Sequence, residues 1–416
     1  MTTTPVQLTP EDVENPVGAY ARFRDQDELP LVVLPGLDTP VRLVTRYADV
    51  KAALSEPRLV RDRTGLAAPT GDGADPQDEL LAAAFDAFPA EYAKYLSDHL
   101  ALFDGEEHAR RRGPLTRAFT ARRIAALRGF VERTGADLLA DLAARSEPAD
   151  LLNEFAYPLT TQVICELVGV DEADRPRVCD WIRDFAYGDG SRAVEGLVGI
   201  VEYTKELVAR RRAEPAEDLV SALVHDVREG EQAPDEDYLV ATVFLLINTG
   251  ITPPALFLAH GLLALFDHPE QLARLRAEPQ LLERAVPELL RHVSLVRIGA
   301  TVYAAEDFAF AGTALRTGDP VTIALLAADH DPREYGGRPE RLDIAREFGR
   351  GDGHLAFGHG AHYCLGAALG RLVTSVVLDQ VVIQRPQAAL GVAREELEFG
   401  HWPADGFHLL RLPVRL

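Results

Sequence analysis

The sequence predicts a mainly α-helical fold carrying small β-sheets, an α+β arrangement in which helices dominate. Three observations predict it. Apolar residues recur at helical spacing through most of 121–235. One run, 237–265, is long and almost wholly apolar, which reads as a buried helix. Strand-like patterning is confined to short pieces near the N-terminus, within 308–325 and close to the C-terminus.

At 416 residues the chain can bury a large core. The expectation is one domain over 1–416. Hydrophobic residues are 47% and charged residues 26%, a globular balance without repeats. A formal charge of −22 argues against a nucleic-acid partner. The three cysteines, Cys165, Cys179 and Cys364, form no disulfide framework, which suits a reducing, cytoplasmic setting. The opening MTTTPVQLTPEDVENP has neither a basic region nor an apolar run, so neither a signal peptide nor an anchor is expected. The apolar stretch 239–266 contains Asn248, Pro253, Pro254 and His260, and a core helix explains it better than a membrane span.

In order, 17–24 reads as a short helix, 31–34 and 41–45 as strands, and a helix begins near Tyr47 with Asp49 as a candidate cap. Residues 61–95 are rich in Gly, Asp, Ala and Pro, with Phe85, Phe88, Tyr92 and Tyr95 interspersed, and read as a long surface loop. Beyond Asp104-Gly105, His108 and Arg112 stand four apart on one helical face. Such a cationic pair can hold anionic groups, though alone it is more often solvated surface. Arg110 and Arg111 are expected to face solvent or an acidic partner, and Pro114 to end or bend the helix. Helices follow over 124–144, 159–167 and 194–212, and Phe185 and Tyr187 serve either a pocket roof or packing. Glu288 and Arg291 lie three apart on another helix.

One stretch carries chemistry: His354-Leu-Ala-Phe357-Gly358-His-Gly360-Ala-His362-Tyr-Cys364-Leu-Gly366, followed by the helix-like Ala-Ala-Leu-Gly370-Arg371. Backbone N–H groups of a glycine-rich turn and a helix start would favour negative charge on the Cys364 sulfur and suit metal ligation. No neighbouring cysteine gives zinc or iron–sulfur spacing. An ordinary buried cysteine is the competing reading.

The order Phe357-Gly358-x-Gly360-x-His362-x-Cys364-Leu-Gly366 resembles the haem-ligating loop of the cytochrome P450 family, in its soluble bacterial form. The resemblance covers nearly the whole chain and implies a large helical portion and small sheets enclosing haem b. It implies that Cys364 is the axial iron ligand and that Phe357 packs over the sulfur side. Gly358, Gly360 and Gly366 would allow close backbone approach. His362, His108 and Arg112 would reach the propionates, and His354 would orient a propionate or the loop. Glu288 and Arg291 become a buried pair, completed by Arg341. The loop 61–95 would cover the pocket.

The same resemblance exposes two departures. In the family's central helix an acid and an alcohol relay protons during oxygen activation. Aligned from the Gly261 end, Gly250 takes the groove glycine, Thr252 falls at the acid and Pro253 at the alcohol. Neither Pro253 nor Pro254 can donate to the preceding turn, so a kink is expected, with waters linking Thr252 or Asn248 into a relay. A helix break that only shapes the cavity is the plainer alternative. The usual propionate-binding arginine falls at Val302, and Arg297 either replaces it, faces an anionic substrate, or is exposed.

The implied activity is regioselective oxidation of a small natural-product intermediate, hydroxylation by default, with ferredoxin and ferredoxin reductase supplying electrons. Alternatives are a haem protein with impaired oxygen activation and an oxidase for a carrier-protein-bound substrate.

Overall fold

The computed structural model describes residues 4–13, 15, 18–63, 66, 88–97, 100–225, 234–349, 351, 353–402 and 406–416. Most of the 61–95 stretch, Phe85 included, and residues 403–405 lie outside the described residues. Six short strands form the larger sheet: β1 Val6–Gln7, β2 Leu31–Val33, β3 Val41–Val44, β4 Leu59–Val60, β5 Val302–Ala304 and β6 Pro320–Ile323, in the order β1-β2-β3-β6-β5-β4. β3 and β6 run parallel, with Arg42 opposite Val321 and Val44 opposite Ile323. β5 and β6 are antiparallel, with Val302 opposite Val321. Val302 is therefore a buried sheet residue.

The helices that build the site are α1 Tyr47–Ala53, α2 Gly105–Ala118, α3 Arg128–Ala143, α4 Tyr157–Val168, α5 Arg175–Tyr187, α6 Ser191–Ala213, α7 Glu236–Asp267, α8 Leu282–Val293 and α9 Ala367–Leu378. Asp49 does not cap α1: Arg46 holds the cap position, and the first N–H, from Tyr47, is taken by Asp331 Oδ2 at 2.9 Å. Pro114 does not end α2, which continues to Ala118. The 124–144 run divides into 121–126 and α3 at Leu127.

α7 is the central beam. Asp235 caps its first turn by accepting from Tyr238 N at 2.8 Å, and Glu236 and Asp237 complement the positive end of the helix dipole. The helix runs without a break through Pro253 and Pro254, so the prolines do not divide it. α4 packs against this stretch, where Thr160 Oγ1 donates to the Ile251 carbonyl at 3.2 Å. A Cβ on Gly250 would come within 2.5 Å of Ile164, so this glycine lets α4 and α7 close up. α7 is the described helix long and apolar enough to cross a membrane, but it is largely enclosed by protein.

The main apolar core joins the helices, and two smaller clusters lie against the larger sheet. Leu355 belongs to a sheet-side cluster while Phe357 and Leu365 pack on the helical core. The cysteine loop thus sits on the seam between helices and sheet.

Candidate active site

Glycines shape the Cys364 loop where no other residue fits. Gly358 and Gly360 take φ of 70° and 71°, and a Cβ on Gly360 would lie 2.5 Å from the Leu54 carbonyl oxygen. The loop closes by Gly358 N donating to Leu355 O at 2.8 Å and Cys364 N donating to Phe357 O at 2.9 Å. Gly366 caps α9, and its N–H and that of Ala367 point at the sulfur.

The sequence argument expected these N–H groups to leave the sulfur anionic. Burial outweighs them and pushes the free thiol up, although Gly366, Ala367, Arg112 and Arg371 all pull the other way. The residue is nevertheless accessible. A thiol so placed ionises when a metal takes it as ligand.

Cations gather beside it. Arg112 Nη2 donates to the Tyr363 carbonyl and lies within electrostatic reach of Cys364. His108 is buried, with its ring centroid 4.1 Å from that of His362. Burial first, then His362, Arg112 and Arg61, lower the His108 pKa to about 4. Its Nε2 is shielded and has no hydrogen-bond partner among the described residues. His362 Nε2 lies 3.4 Å from Asp104 Oδ1, and the other oxygen of Asp104 accepts from Arg61 N and Asp62 N. Arg371 stands 4.9 Å over Phe357 and donates to Tyr363 Oη at 2.9 Å.

α7 presents one face that the core leaves partly uncovered. Leu245, Asn248, Thr249, Thr252 and Pro253, at i, i+3, i+4, i+7 and i+8, are half-buried or exposed along one side of a mostly buried helix. Gly250 is turned to α4 instead.

His354 is buried and meets Phe357 edge-on at 5.6 Å. Arg297 is buried, which removes the solvent-exposed reading. Its Nη1 donates to Leu295 O at 3.3 Å, and its charge, after burial, helps depress His260 to about 3. Arg111 does not face solvent: its guanidinium sits 3.8 Å over Phe103 and 4.7 Å over Tyr238. Phe185 packs edge-on to Phe244 at 5.6 Å.

Glu288 and Arg291 are both fully buried, 2.8 Å apart. Their third partner is Arg346, whose Nε donates to Glu288 Oε2 at 2.9 Å, and not Arg341, which offers only its carbonyl. Arg346, Arg61 and Asp104 were missed as site-supporting groups. The Asp104-Gly105-Glu pattern of a helix start was a usable signal for Asp104. The other two needed the tertiary fold.

The cytochrome P450 family profile matches residues 181–385, a span holding α7, the Glu288–Arg291 pair and Cys364. The chain is 36% identical over 397 residues to cytochrome P450 107B1 of Saccharopolyspora erythraea, covering 95% of this chain and 94% of that relative. It belongs to the cytochrome P450 family. The solved structure of the bacillaene polyketide synthase P450 PksS of Bacillus subtilis aligns with a TM-score of 0.82 at 30% identity, over 98% of this chain and 99% of that one. The LnmA hydroxylase of the leinamycin pathway of Streptomyces atroolivaceus aligns at 0.82 and 34% identity, over 100% and 98%. A P450 is an oxidoreductase, and membership implies haem b.

The residues of this P450 fit that group. An accessible sulfur faced by the N–H groups of Gly366 and Ala367 would ligate the haem iron. The orphaned, buried His108 Nε2 and the adjacent Arg112 offer donors to carboxylates. Phe357, in the same loop and partly buried against the helical core, offers an aromatic surface.

Proposed function

We propose that the chain is a haem-thiolate monooxygenase that oxidises a small natural-product intermediate regioselectively. Hydroxylation is the default outcome, with epoxidation, ring formation and coupling as variants of the same chemistry. Haem, when bound, supplies the oxygen activation and electron storage that side chains lack. The observation that carries the reading is the accessible Cys364, whose sulfur is faced by the backbone N–H groups of Gly366 and Ala367. The pathways of PksS and LnmA support a substrate of polyketide or related origin.

In this reading Cys364 ligates iron and Phe357 shields the sulfur from water. His108, Arg112 and His362 hold the propionates, and His354 steadies the loop behind Phe357. Arg297 would serve a propionate or an anionic substrate group from its buried corner. Asn248, Thr249 and Thr252 line the oxygen-side face of α7. Electrons would arrive from ferredoxin and its reductase, and 1–416 would act as one unit.

The test is a screen of candidate substrates for haem spin-state change, followed by product analysis with a reductase system and with peroxide. Regioselective product from both systems is expected. A specific observation favours one other reading: the sequence positions of the acid and alcohol hold Thr252 and Pro253. A haem protein impaired in oxygen activation would bind ligands yet form no product with reduced ferredoxin.

A further inference from the structure

We propose that Arg61 gives the haem carboxylates the cationic contact that Val302 cannot, from the position opposite Val302 on the neighbouring strand. The proposal deepens the monooxygenase reading and rests on it.

Register brings the two positions together. β4 and β5 are antiparallel, with Leu59 opposite Ala304 and Val60 opposite Tyr303. Ala305 N donates to Arg58 O at 2.8 Å and continues the ladder at its far end. One step beyond Val60 in the same register, Arg61 comes opposite Val302, and directly opposed residues share a face of the sheet. Val302 is 5% exposed and carries no polar group. Moving a cation across one strand pair displaces its Cα by about 5 Å, a distance an arginine side chain spans.

Two anchors fix Arg61. Its N–H donates to Asp104 Oδ2 at 2.5 Å, an oxygen that Asp62 N shares at 2.8 Å. Its Nη1 donates to the Ala101 carbonyl at 2.9 Å, in the turn Leu100–Leu102 that leads into α2. The other oxygen of Asp104 faces His362 Nε2 at 3.4 Å, and the His362 ring stacks on His108 at 4.1 Å. One carboxylate therefore ties the Arg61 backbone to His362. The guanidinium is tied to the start of the helix that carries His108 and Arg112. Asp104 is a positioning residue in this arrangement, and Arg61 is the group that would meet the haem carboxylate.

The guanidinium has donors to spare. An arginine carries five N–H groups in a planar fork that suits a carboxylate. Beyond the bond to Ala101, the Arg61 side chain makes no hydrogen bond and no ion pair among the described residues. A half-buried cation left in that state is costly, and burial lowers its pKa with Asp104 opposing. The buried His108 Nε2, without a hydrogen-bond partner among the described residues, is an independent sign that an acceptor belongs here. Four basic side chains gather around Asp104, and haem brings two further carboxylates.

The test uses holoprotein of the wild type, Arg61→Gln and Arg61→Lys. Resonance Raman spectra of the ferric proteins read the bending bands of the haem carboxylates, and haem transfer to a competing apoprotein reads retention. In Arg61→Gln the carboxylate bands are expected to shift. Haem loss should speed up at least about tenfold, the effect of one charge-assisted hydrogen bond, while the Soret band of the reduced, carbon-monoxide-bound protein stays that of thiolate ligation. Unchanged carboxylate bands in Arg61→Gln would overturn the proposal, even with faster haem loss, because Arg61 would then act through packing alone. Should Arg61→Gln be recovered without haem, Arg61→Lys must restore loading, since the charge remains. A lysine variant as empty as the glutamine one would overturn the proposal. A wild type without thiolate-ligated haem would remove the monooxygenase reading itself, and this proposal with it.

Discussion

Histidines and arginines gather near Cys364 and leave one buried ring nitrogen without a partner among the described residues. Two histidines stacked at 4.1 Å, with Arg112 and Arg61 beside them, leave His108 neutral and its Nε2 unanswered. Haem carboxylates would answer it. Arg112→Leu therefore weakens haem retention at least about tenfold, the loss expected for one charge-assisted hydrogen bond of about 1.5–3 kcal/mol. Haem transfer to a competing apoprotein measures this, and wild-type retention by the variant would contradict the assignment.

At the scale of elements, the loop and α7 each impose a testable constraint. Gly360→Ala needs φ near 71° and a Cβ 2.5 Å from the Leu54 oxygen, so the loop shifts and haem content falls. Gly370→Ala meets Phe357 Cζ at 3.4 Å, ordinary contact, and keeps full haem content. Haem-to-protein absorbance ratios compare them, and equal ratios would contradict the loop account. These two elements were legible in the sequence because their signals are local: the Gly-x-Gly-x-x-x-Cys spacing and a long apolar period. Arg346 was not, since the Glu288–Arg291 carboxylate is reached across 58 residues by a loop side chain. Arg111 misled for the same reason, because the rings that cover it, Phe103 and Tyr238, come from separate segments. At Pro253 the rule about missing donors holds, yet the helix continues through both prolines.

Across the whole molecule, stability hangs on buried ionisable groups that join the helices to the cysteine loop. Arg291 Nη1 donates to Asp329 O at 2.7 Å and Pro339 O at 2.8 Å, and Asp329 accepts from Leu355 N at 2.7 Å. Glu288→Gln leaves two arginines uncompensated and should cost about 3–5 kcal/mol in urea unfolding. A change of less than about 1 kcal/mol, the scale of a surface pair, would contradict a keystone role. Burial depresses His260 and His292 to about 3 and lowers His330 well below its ordinary 6.5. The unfolded chain takes up those protons first, so stability present above pH 6.5 is lost as pH falls toward 3. Asp329, raised by burial to about 7, acts oppositely as one group against these three and His108, which is lowered to about 4. The urea midpoint should therefore drop on acidification below 6.5, and a midpoint that rises would contradict this balance.

The sulfur–iron bond is the central claim, and the absorption spectrum of the reduced, carbon-monoxide-bound protein tests it most directly. The account predicts the strongly red-shifted Soret band of thiolate-ligated haem in the wild type and its loss in Cys364→Ala. A wild type without that band, or a Cys364→Ala variant that keeps it, would contradict the account.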